Sequence, residues 1–145
     1  MGSFSKQQGN FGEDLAVGYL RQHGYHILER QWRHGHFELD IVCEDPSTSQ
    51  LVFVEVKTRD DDFFGDPIDA IDRKKMSRLA AAANHYIHVS RSTLEWRFDV
   101  IGIILHPYID TKSKEPHALT PEELSRYPII NHIPDAFYPP LITRH

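Results

Sequence analysis

The chain alternates between stretches with helical and stretches with strand periodicity. From Phe11 to His23 the apolar positions Leu15, Ala16, Tyr19 and Leu20 fall on one stripe, and Gly24 follows as a stop, so a helix is expected there. Glu13 falls at the edge of that stripe, where a carboxylate needs a partner. Tyr25–Trp32 reads as a first strand with Tyr25, Ile27 and Leu28 turned inward, and Phe37–Cys43 as a second. The cluster Glu44-Asp45-Pro46-Ser47-Thr48-Ser49 marks a turn, and Leu51–Lys57, rich in β-branched residues, is a third strand. So short a connection makes strands two and three an antiparallel hairpin.

An acidic loop, Asp60–Gly65, carries Phe63 and Phe64, which are expected to pack over the helix that follows. Asp66 as N-cap and Pro67 at the first helical position open that helix, which runs to about His88. Ile68, Ile71, Leu79, Ala82 and Tyr86 share its apolar face, and Lys75 projects from the same face. Trp96–Leu105 is a further strand with a buried-core end. Thr120-Pro121-Glu122-Glu123 starts a short helix in a segment otherwise rich in proline and polar residues. The order α-β-β-β-α-β predicts an α/β domain with a mixed β-sheet flanked by helices. Residues 1–10 are expected to form a flexible arm, 11–106 the core, and 107–145 an irregular tail packed on the same domain.

Length and composition fit one globular domain: 145 residues, 40% hydrophobic and 26% charged. No apolar run is long enough to span a bilayer, and the polar N-terminus lacks a signal core. The single cysteine, Cys43, rules out an intrachain disulfide framework, and a cytoplasmic location is expected. The net charge of −5 argues against DNA binding by bulk electrostatics, although a carboxylate cluster looks acidic until its metal arrives. His34 with His36, and His85 with His88, lack cysteines at zinc spacing, so zinc is not expected. No Walker loop, dinucleotide glycine pattern or nucleophile elbow occurs.

The chemistry concentrates in Glu38-Leu39-Asp40 and Glu55-Val56-Lys57. Strand alternation puts Glu38 and Asp40 on one face, and Glu55 and Lys57 on one face. If the hairpin forms, Asp40 and Glu55 meet. A bare E-x-K tripeptide most often means a surface ion pair. Here it ends a strand, Leu51–Val54, that is apolar on both faces, which points to a site at the end of the sheet. Carboxylates converging there suit Mg²⁺ or Mn²⁺. Lys57 would stabilise a phosphate undergoing attack. Lys75 is a candidate phosphate contact or partner of the acidic cluster, and Arg33, Thr58 and Arg59 are candidates for backbone phosphates.

A strand Asp followed by Glu-Val-Lys at the end of the next strand resembles the PD-(D/E)XK nuclease superfamily. More closely, the chain resembles the YraN-like family of small bacterial proteins, themselves similar to archaeal Holliday junction resolvases. The likeness runs through Gly12-Glu13-Asp14-Leu15-Ala16, Glu38-Leu39-Asp40-Ile41-Val42, Leu51–Arg59, Gly65-Asp66-Pro67, Lys75 with Arg78-Leu79, Arg97-Phe98-Asp99-Val100 and Ile133-Pro134-Asp135-Ala136-Phe137. It implies a restriction-endonuclease-like fold and metal-dependent nuclease activity on DNA, with branched DNA among the substrates. Asp40 and Glu55 would be metal ligands, Lys57 the catalytic lysine, Glu13 a helix-borne acid reaching the metal through water, and Glu38 auxiliary. A homodimer is expected if both strands are cut. Leu39 stands where the superfamily usually has proline, and Phe37 where a glycine is usual, a side chain that would narrow the substrate approach. The alternative is a catalytically silent module of the same fold that binds nucleic acid or a protein partner.

Overall fold

The computed structural model describes residues 2–61, 67–107 and 119–138. Helix α1 (Gly2–Gln22) leads into strands β1 (His26–His34), β2 (Phe37–Asp45) and β3 (Gln50–Arg59). A 3-10 turn (Pro67–Ala70) and helix α2 (Arg73–Ser90) cross over to β4 (Glu95–Ile104), and α3 (Pro121–Ser125) precedes β5 (Ile129–Phe137). The five strands lie in the order β1-β2-β3-β4-β5. β1, β2 and β3 form an antiparallel meander, β4 runs parallel to β3, and β5 returns antiparallel to β4. This is the expected mixed sheet between helices, in a restriction-endonuclease-like arrangement. Among the described residues no helix is long and apolar enough to cross a membrane.

The alternation of strand side chains divides the core. On one face Val42, Leu51, Phe53, Phe98 and Val100 pack against Leu79, Ala80, Ala83 and Tyr86 of α2. On the other, Ile41, Cys43, Val52, Val54, Ile101 and Ile103 pack against Ala16, Val17 and Leu20 of α1. α1 comes so close that a Cβ built on Gly12 would lie 2.0 Å from Thr58 Oγ1 and 3.1 Å from Thr58 Cβ. Gly12 therefore sets the height of the helix over the end of β3.

Four expectations are corrected. α1 starts at Gly2, so the backbone of the expected arm is helical from residue 2 onward. Once a packed segment has nucleated a helix, each further residue adds a hydrogen bond, even where its own propensity is poor. Leu28 is exposed, because a register shift between Ile27 and Glu29 turns it out of the sheet. The long helix begins at Arg73, capped by Asp72, whose carboxylate accepts from Lys75 N–H at 2.7 Å, and Pro67 belongs to the separate 3-10 turn. The C-terminal region is not irregular throughout: β5 completes the sheet. Pro134 hid that strand, yet β5 is an edge strand and its ladder is irregular opposite Phe98 and Val100, where a residue without an N–H is tolerated. The proposed cap Asp66 and the aromatic pair Phe63 and Phe64 lie outside the described residues.

Candidate metal centre

The β2–β3 ladder runs from Asp45 opposite Gln50 to Ile41 opposite Val54, where its pairing ends. Asp40 and Glu55 are the next residues on each strand, so both carboxylates stand where the two strands part. Asp40 Oδ2 accepts the Val56 N–H at 3.0 Å, supplying a backbone donor with a partner beyond the ladder. Burial raises the Asp40 carboxyl to about 7, reinforced by the charge of Glu55 and a hydrogen bond to it, against the Val56 N–H and the charge of Lys75. Glu55 is itself buried and holds two ammonium groups: Lys57 Nζ lies 3.6 Å and Lys75 Nζ 3.3 Å from its Oε1. Lys57 follows Glu55 by two residues on the same strand face, and Lys75 reaches that face from the first turn of α2. Asp40, Glu55, Lys57 and Lys75 are therefore brought together at one end of the sheet.

Glu13 is buried, but its carboxylate accepts from Arg30 Nε at 3.0 Å and from the Gln31 side-chain amide. The partner that its edge position required is thus β1. Glu38 is exposed on the rim and pairs with Arg33 at 3.7 Å, a contact of small energetic weight. Thr58 points to the opposite face from Glu55 and Lys57, against Gly12. Arg59 ends β3, two residues beyond Lys57. Among the described residues no group of three or more His, Cys, Asp or Glu side chains gathers in metal-binding geometry.

Two carboxylates and no third acid still fit Mg²⁺, which keeps several waters and takes one or two carboxylates rather than a full protein cage. The donor chemistry agrees: Asp40, raised to about 7 first by burial and then by the neighbouring charge of Glu55, is a hard oxygen donor that a divalent cation would hold ionised. The consequence for stability has a definite sign. The folded state binds a proton at Asp40 that the unfolded chain has lost, so this site contributes less stability as pH rises from the usual carboxylate value toward about 7. Asp40→Asn keeps an oxygen for the Val56 N–H and removes the ionisation. In EDTA its melting temperature should rise relative to wild type as pH goes from 5 to 8, while parallel pH curves would contradict the pairing.

Sequence reading did not assemble a second polar cluster, on the α1 face toward the other end of the strands. Asp99 is fully buried and takes both Arg97 Nε (2.9 Å) and Nη2 (3.2 Å), His132 Nε2 (2.7 Å) and the Asp135 N–H (2.9 Å). Arg97 also reaches Asp45 at 3.1 Å, Gln50 at 2.8 Å and the Tyr25 hydroxyl at 3.1 Å. Burial pushes the Asp99 carboxyl up, but the bonds from His132, Arg97 and Asp135 outweigh it and hold the group below its ordinary range. The only signal in the sequence was the pair of opposite charges, Arg97 and Asp99, alternating in an otherwise apolar strand.

Residues 12–103, which hold both clusters except for His132 and Asp135, match the model of the uncharacterised protein family UPF0102. The chain belongs to that family. Whole-length relatives agree: UPF0102 proteins of Bacteroides thetaiotaomicron (41% identical over 92% of this chain and 93% of the relative), Chlorobium chlorochromatii (39% over 90% of each) and Phocaeicola vulgatus (37% over 92% and 93%) are similar to it. UPF0102 is the YraN-like family that the sequence resembles, and its members of this length match the chain almost end to end. The UPF0102 name carries no activity, so the chemistry has to be argued from the acidic pair and its lysines.

Proposed function

We propose that the protein is a divalent-metal-dependent endonuclease that hydrolyses phosphodiester bonds in DNA. The observation that carries this reading is the meeting of Asp40 and Glu55 just past the last rung of the β2–β3 ladder, with Lys57 on the same strand face. Asp40 and Glu55 would hold Mg²⁺ or Mn²⁺. Bound there, the ion supplies a Lewis acid for a phosphate oxygen and lowers the pKa of a coordinated water.

The rest of the chemistry belongs to the chain. The Val56 N–H fixes the Asp40 carboxylate, so one ligand is oriented before substrate arrives. Lys57, one quarter exposed, keeps its ammonium beside Glu55 in a partly desolvated setting, where it stabilises charge developing on the phosphate oxygens. Lys75 is more exposed and neutralises Glu55 from the helix side, leaving it able to contact the incoming backbone. Cutting both strands of a duplex asks for two such sites, which a homodimer supplies.

The test is cleavage of labelled linear, flapped and four-way DNA in Mg²⁺ or Mn²⁺. Metal-dependent cleavage of at least one substrate, abolished by EDTA, is expected; no cleavage of any of them would overturn the reading. One observation favours a silent DNA- or protein-binding module instead: two lysines already satisfy Glu55 without a metal. In that case the protein would bind DNA equally well with and without divalent ions and leave it intact.

A further inference from the structure

Next to the acidic pair, a groove of about 470 Å³ runs between the start of β2 and helix α2. His36, Phe37, Glu38, Lys75, Arg78 and Leu79 line it. Lys75 belongs to both places: its ammonium lies 3.3 Å from Glu55, and the residue lines the groove. The lining is also aromatic. Phe37 stacks on His85 at 5.1 Å between centroids with planes 26° apart, and His36 covers it at 4.6 Å and 36°. Phe37 is thus braced from behind, while His36 is exposed as the outer ring.

Lining cations beside ring faces suit a phosphate backbone with a base beside it. The volume falls in the range of pockets that enclose a single small ligand. Glu38 adds one negative charge at the rim, where Arg33 pairs with it, so phosphates are directed to the wall that carries Lys75 and Arg78. A duplex has little use for such rings, because its bases already stack on one another; a base with a free face does.

Building on the nuclease reading, we propose that this groove binds an unpaired DNA nucleotide adjoining the phosphate at the acidic pair, so that the preferred substrate carries a single-stranded segment next to the cut. Phe37 then acts as the support of a stacking platform.

Binding of a fluorescein-labelled oligothymidylate and of a duplex of equal length, followed by anisotropy in EDTA, tests this without any cleavage. Wild type should bind the single strand at least tenfold more tightly. His36→Ala/Arg78→Ala should lose about tenfold on the single strand and keep its duplex affinity. Both side chains are exposed, and circular dichroism checks that the variant folds. Equal or tighter duplex binding by wild type, or an unchanged single-strand affinity in the variant, would overturn the proposal. Failure of the nuclease reading looks different: single-strand preference would persist with no cleavage of any DNA.

Discussion

Replacing Lys57 by alanine lowers the rate of metal-dependent DNA cleavage by about 10²–10³-fold, the usual loss when one preorganised charge stabilising a transition state is removed. The ammonium lies 3.6 Å from Glu55 and is only 24% exposed, so its field acts where solvent screening is weak. The loss belongs in kcat rather than KM, because the charge that Lys57 meets develops during attack. Asp40→Ala and Glu55→Ala take cleavage to background. Lys75→Ala should fall between these and wild type, since its ammonium is more exposed and meets the bound phosphate before reaction. Initial rates under saturating DNA separate the four variants. A Lys57→Ala enzyme as fast as wild type would remove the lysine from the chemistry.

Asp99→Ala destabilises the fold by about 3–5 kcal/mol, because it takes from the buried Arg97 guanidinium one of its two carboxylates and from the His132 imidazole its anion. For a domain of this size that is roughly a 10 °C fall in melting temperature. The difference also depends on pH in a predictable way. The Asp99 carboxyl is held below its ordinary value in the folded state. Its contribution is therefore complete above the unfolded value of about 3.9 and is lost as pH falls through the depressed one. Urea unfolding of wild type and variant should differ most at neutral pH and converge under strong acid. A loss below about 1 kcal/mol at pH 7 would mean that the bonds from Asp99 on β4 to His132 and Asp135 on β5 do not brace the two strands.

The hairpin was legible because Phe37–Cys43 and Leu51–Lys57 are apolar strands joined by an unmistakable turn, and that pairing alone brings Asp40 to Glu55. Lys75 was legible for a similar reason: a helical period placed it on the face of α2 that packs on the sheet. Glu13 shows the limit of such reasoning. Periodicity located it at a buried edge and demanded a partner, but could not say which element would supply one, and the answer was Arg30 and Gln31 of β1. Glu38 shows a different limit. Strand alternation pairs it with Asp40, yet the strands have already parted at that point, and Glu38 turns to Arg33 on the rim. β5 escaped notice because its partners are distant in sequence and its pattern is broken by Pro134 and by polar His132, whose role becomes visible only beside Asp99.

Calorimetric titration of the protein with Mn²⁺ tests the central claim most directly. The account predicts one site of millimolar affinity or better in wild type, lost in Asp40→Asn and in Glu55→Gln and retained in Glu13→Gln. Absence of binding, or binding unchanged when Asp40 and Glu55 are replaced, would contradict it.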